Sequence, residues 1–72
     1  MLKAGLRVQV KTSIRRRSYL AYVDRLDPRG FWVGFKIVNG RMNKTRLCIF
    51  RPKHVTAIET EAGLRCVLQE TL

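Results

Sequence analysis

Tyr19-Leu20-Ala21-Tyr22-Val23-Asp24-Arg25-Leu26-Asp27-Pro28-Arg29-Gly30-Phe31-Trp32-Val33-Gly34-Phe35-Lys36-Ile37 is the stretch whose reading decides the fold. Two runs rich in aromatic and β-branched residues flank Asp27-Pro28-Arg29-Gly30, and that tetrad carries the chemistry of a turn. An Asp side chain bonds its own backbone, Pro presets φ at the second turn position, and Gly accepts φ > 0. The stretch therefore predicts a β-hairpin. Five of the six aromatic residues lie in it: Tyr19, Tyr22, Phe31, Trp32 and Phe35. Alternation along its second strand expects Phe31, Val33, Phe35 and Ile37 to fill the core. Trp32, Gly34 and Lys36 then take the other face, with Trp32 on an outer or partly open surface. Gly34 in mid-strand suggests a bend or a close approach by another backbone.

Toward the N-terminus, Gly5-Leu6-Arg7-Val8-Gln9-Val10-Lys11 alternates apolar and polar residues, the pattern of a half-buried strand. Thr12 to Ser18 contains Arg15-Arg16-Arg17, whose mutual repulsion disfavours a mid-sheet position and predicts an exposed loop. Toward the C-terminus, Asn39-Gly40 suits a two-residue turn in which both residues need φ > 0. The next strand is expected from about Arg41 or Lys44 to Phe50. Pro52 lacks an amide donor and ends it, so Arg51-Pro52-Lys53-His54 reads as one tight, 3₁₀-like turn before a short strand at Val55 to Glu59. The tail, residues 60–72, has two readings. Leu64, Val67, Leu68 and Leu72 fall on one helical face that Thr60 would cap, and this reading is preferred. The alternative is an extra strand with Leu64, Cys66 and Leu68 facing inward; Gly63 favours it by costing a helix roughly 1 kcal/mol relative to Ala.

The order of these elements resembles the small SH3-like barrels, the class that includes Tudor, KOW and chromo-barrel domains. The resemblance spans residues 5–59 and rests on strand order and on the one-turn connector Arg51-Pro52-Lys53-His54-Val55. It implies a mainly β chain: a five-stranded barrel within a single domain of residues 1–72, extended by a short C-terminal helix or extra strand at 60–72. It also implies a binding module for nucleic acid or protein tails, without catalysis. Fold alone does not assign function.

Charge narrows the function further. Fifteen Lys and Arg face five acids, a net charge of +10 on 72 residues. Residues 1–53 hold fourteen of the cations against Asp24 and Asp27 alone, whereas 54–72 hold Arg65 against Glu59, Glu61 and Glu70. Such a surface calls for a polyanionic partner. The expected contacts with phosphate are Arg7, Lys11, Arg15, Arg16, Arg17, Arg41, Lys44, Arg46, Arg51 and Lys53, with Trp32 as the non-ionic contact. Guanidinium forks suit bidentate phosphate contacts, and an aromatic face can stack on an unpaired base. Duplex DNA is slightly favoured over RNA, because cations outnumber candidate stacking rings. The rival reading is an interaction module that docks an acidic protein within a larger assembly. A homodimer through the apolar tail is a further expectation, since so short a chain gains stability by self-association.

Other chemistries lack their residues. Cys48, His54 and Cys66 give too few ligands and no metal-site spacing, so no metal or cofactor is expected. His54, the single histidine, has no nucleophile partner, and no phosphate-loop spacing occurs among the glycines, so the chain is expected not to be an enzyme and to take no small-molecule substrate. An aromatic cage for methylated lysine suits basic tails, which a +10 domain repels. No basic amphipathic helix or long apolar run suggests a membrane. Two cysteines without a signal peptide suggest reduced thiols in the cytoplasm, next to the nucleoid or a ribonucleoprotein in a bacterium.

Overall fold

The structure is a computed structural model that describes residues 2–60 and 63–66, the side chains of 60 and 64–66 excepted. Its strands are β1 (Arg7–Val10), β2 (Tyr19–Leu26), β3 (Trp32–Val38), β4 (Arg41–Phe50), β5 (Val55–Thr60) and β6 (Gly63–Cys66), with a 3₁₀ turn at Pro52–His54. All form one antiparallel sheet in the order β4-β3-β2-β1-β5-β6.

Both turns around β3 follow from local chemistry. Gly30 N–H donates to Asp27 O at 2.9 Å, and Asp27 N–H donates to Phe31 O at 2.8 Å. Arg29 N–H donates to Asp27 Oδ1 at 2.8 Å, and Gly30 has φ +96°. This is a three-residue hairpin loop, a type I turn closed by a left-handed glycine. Asn39 and Gly40 have φ +52° and +76°, the two-residue hairpin their sequence predicts.

The faces of β3 are the reverse of the expectation. Directly opposed residues share a face. Trp32 opposes Phe50 and Leu26, Gly34 opposes Cys48 and Val23, and Lys36 opposes Ala21. These positions surround the buried cluster of Val8, Val10, Ala21, Val23, Cys48, Phe50 and Val55, against which Trp32 packs. Phe35 and Ile37 stand half-buried on the opposite face with Leu47 and Met42, and Val33, though buried, lies outside the cluster. The physical cause is room. A Cβ on Gly34 would lie 2.3 Å from Tyr22 O and 3.2 Å from Tyr22 C, so only glycine lets the β2 backbone approach this closely, with Phe50 Cε1 packed over the same position. The close approach by another backbone that Gly34 suggests in mid-strand is thus present, and the neighbour is Tyr22 of β2.

The tail also differs. Thr60 opposes Gly63 and Ala57 opposes Cys66, so residues 63–66 are the extra strand and a helix starting at Thr60 is excluded. Gly63, at φ +103°, lets the chain come back along β5, whose outer edge offers ladder partners. The expected homodimer surface rests on the Leu64 side chain, Val67, Leu68 and Leu72, which lie outside the described residues. Among the described residues β4 and β6 are the sheet's two edges.

Candidate nucleic-acid interface

Three segments carry the predicted cations. The β1–β2 loop presents Lys11, Arg15, Arg16 and Arg17, all exposed, on a turn in which Arg16 N–H donates to Ser13 O at 3.2 Å. Ile14, at the same tip, is 92% exposed. Edge strand β4 presents Arg41, Lys44 and Arg46. Asn43 Oδ1 accepts from the Thr45 N–H at 3.0 Å and hydroxyl at 2.6 Å, where the β3–β4 register jumps from Phe35–Leu47 to Ile37–Met42. That local turn puts Lys44 on a bulge. The 3₁₀ turn presents Arg51 and Lys53, and Lys11 N–H donates to His54 O at 2.9 Å, joining this turn to the arginine loop.

Charge pairing sorts these cations. Asp24, Asp27 and Glu59 are the described carboxylates, and each already faces an arginine. Arg25 lies 2.6 Å from Asp24, Arg29 lies 3.1 Å from Asp27, and Arg7 lies 4.0 Å from Glu59. Arg29 hydrogen bonds hold the Asp27 carboxyl below its ordinary range and raise the Arg29 guanidinium in turn. Arg7 is therefore the predicted contact with a competing carboxylate. Lys11, Arg15, Arg16, Arg17, Arg41, Lys44, Arg46, Arg51 and Lys53 form no ion pair among the described residues.

The structure gathers some of these and adds others. Arg16 and Arg17 line an open concavity of about 420 Å³ together with Thr12, Tyr19, Lys36, Leu47, Cys48 and Ile49. Lys36 Nζ stands 4.8 Å from the centroid of the Tyr19 ring, a cation–π contact. Burial, and then the neighbouring Cys48 thiol, push the Tyr19 hydroxyl up to about 12. Burial pushes the Cys48 thiol up as well, opposed by Tyr19 and Lys36. Lys36, Thr12 and Tyr19 were absent from the predicted contacts. The available signal was a lysine alternating with core-facing residues, which a strand keeps only where that face opens to solvent. Trp32, the predicted non-ionic contact, packs instead against the buried cluster. Arg41 sits beside the Asn39-Gly40 turn, at the tip of the β3–β4 hairpin.

His54 has a structural place here. Its Nδ1 accepts from Arg51 N–H at 3.2 Å, and burial, with Lys53 and Arg51 behind it, lowers its pKa. The fold thus favours the neutral ring. His54 contributes fully above the unfolded value of about 6.5 and loses that contribution as pH falls through the lower folded value. The urea midpoint is expected to fall between pH 7.5 and pH 5, by less in His54→Asn, whose side chain keeps an acceptor without titrating. An equal fall in both proteins would refute this role.

Among the described residues no group of three or more His, Cys, Asp or Glu is placed to hold a metal ion, and no helix is long and apolar enough to cross a membrane. No protein family, curated protein or solved structure matches this chain.

Proposed function

We propose that this chain is a small basic nucleic-acid-binding protein that grips the phosphate backbone, in an architectural or regulatory accessory role. The observation that carries the reading is the set of cations on the arginine loop, the 3₁₀ turn and β4 that have no carboxylate partner among the described residues. Uncompensated cations on neighbouring segments can neutralise phosphates and release the cations condensed on a polyanion, which favours binding entropically. Every aromatic ring among the described residues is buried or partly buried, so phosphate contact outweighs base stacking and duplex DNA stays slightly ahead of RNA. The strand order β4-β3-β2-β1-β5, with one 3₁₀ turn between β4 and β5, supports the SH3-like barrel reading. A cytoplasmic place beside the nucleoid or a ribonucleoprotein follows from such a ligand, and catalysis has no part in this reading.

Fluorescence anisotropy with duplex DNA, single-stranded DNA and RNA at low and moderate salt tests it. Binding to each at low salt, falling steeply as salt rises, is expected. Binding to none of them at low salt would leave the second reading, an acidic protein segment docked along β4. That reading is favoured by the outer edge of β4, which pairs with no other strand among the described residues and where Leu47 and Ile49 are 61% and 59% exposed.

A further inference from the structure

We propose that the concavity between the β1–β2 loop and β4 seats a terminal phosphate of a nucleic-acid strand, held by Arg16, Arg17 and Lys36. The proposal rests on the nucleic-acid reading and names the end-group chemistry that this surface takes.

Three features separate this place from the rest of the basic surface. The first is convergence. Arg16 and Arg17 from a loop and Lys36 from β3 line the same concavity, and among the described residues no Asp or Glu lines it. Elsewhere the cations that form no ion pair among the described residues are spread along β4 and the 3₁₀ turn. The second is positioning. The Lys36 ammonium is held over the Tyr19 ring at 4.8 Å, and the Tyr19 hydroxyl is turned to the Cys48 thiol at the edge of the core. Ala21, directly opposite Lys36, is too short to compete for that space. Tyr19 is thus a positioning residue for Lys36, and Thr12 adds a neutral polar residue to the lining. The third is shape. About 420 Å³ falls at the lower end of the roughly 300–1,000 Å³ range of small-ligand sites, enough for an end group and not for a stretch of duplex.

Charge then selects among phosphates. An internal phosphodiester carries one negative charge, whereas a terminal phosphate carries about −1.5 to −2 at pH 7 and offers three acceptor oxygens. Three converging cations outmatch the first and suit the second. A chain end can also enter a recess that the middle of a duplex cannot.

The test compares short oligonucleotides of one sequence ending in a 5′-phosphate, in a 3′-phosphate, or in hydroxyls at both ends. At least one phosphorylated form is expected to bind about tenfold tighter than the hydroxyl form, the worth of one charge-assisted contact set. Lys36→Met and the exposed-loop double variant R16Q/R17Q are each expected to remove that preference, with every form bound more weakly by R16Q/R17Q, which also loses two backbone contacts. Tyr19→Phe, which keeps the ring, is expected to retain it. Inorganic phosphate, titrated at constant ionic strength, should shift the amide resonances of Thr12, Arg16, Arg17 and Lys36 and saturate. Equal affinity for all three oligonucleotides, a preference surviving in both charge variants, or no saturable phosphate shift would overturn the proposal and leave backbone binding standing. Failure of every oligonucleotide to bind at low salt would remove the nucleic-acid reading itself.

Discussion

Gly34→Ala is expected to lower the melting temperature by about 12–24 °C, the largest loss among alanine substitutions of the glycines. The new Cβ would sit 2.3 Å from Tyr22 O and 3.2 Å from Tyr22 C, both backbone atoms of the neighbouring strand. No rotamer change relieves a clash with backbone. Relief requires β2 and β3 to separate where Val23 opposes Gly34, beside the bulge between Val23 and Arg25. Overpacking of this kind costs about 3 kcal/mol. A domain of this size has roughly 4–11 kcal/mol in all, so the loss is a large fraction. Gly40→Ala is the informative comparison. Gly40 has open space around it but φ +76°, so its substitution costs only the left-handed strain, about 1 kcal/mol. Thermal unfolding of both variants by circular dichroism separates the two causes. A Gly34→Ala protein that melts within about 5 °C of the parent would refute the close approach.

The same glycine shows why the sequence is legible in its turns and less so in its faces. Asp27-Pro28-Arg29-Gly30 and Asn39-Gly40 specify their own geometry through bonds and φ values that need no distant partner, and both hairpins form where expected. The strand limits follow from them, and Pro52 ends β4 as its missing donor requires. Which face of β3 turns inward is a different kind of question. Apolar side chains occupy both sides, since Trp32 alternates with Val33 and Phe35. Alternation then cannot choose, and the choice is made across the sheet, where Gly34 lies against the Tyr22 backbone and shares its face with Val23 and Cys48. Lys36 was assigned correctly to the face opposite Phe35, but that face is the inner one, opening near Tyr19. The concavity therefore escaped a reading that counted only cations on strands and loops expected to be exposed. The tail failed for a related reason: Leu64, Val67, Leu68 and Leu72 have helical spacing, but β5 had an edge to offer and Gly63 could turn the chain toward it.

Neutralising Arg15, Arg16 and Arg17 to glutamine is expected to weaken nucleic-acid binding by about two orders of magnitude, at roughly 1 kcal/mol for each lost contact. The three side chains are exposed on a turn held by the Arg16-to-Ser13 backbone bond, and they form no ion pair among the described residues. Their removal therefore leaves the core untouched, and the melting temperature should change little. The diagnostic is the salt dependence. Each lost phosphate contact lowers the magnitude of the slope of log K against log salt by about 0.9 on duplex DNA, so the triple variant should lose about 3 if all three touch phosphate. Arg7→Gln supplies the contrast, because Glu59 at 4.0 Å already competes for that guanidinium, and its removal should change the slope by less than one contact. The weakening should be uniform across sequences, since backbone contacts carry no base information. A triple variant that keeps the parental slope would place the phosphate contacts elsewhere, on β4 and the 3₁₀ turn. A slope reduced by about 1 would assign the contact to a single arginine of the loop rather than to the cluster.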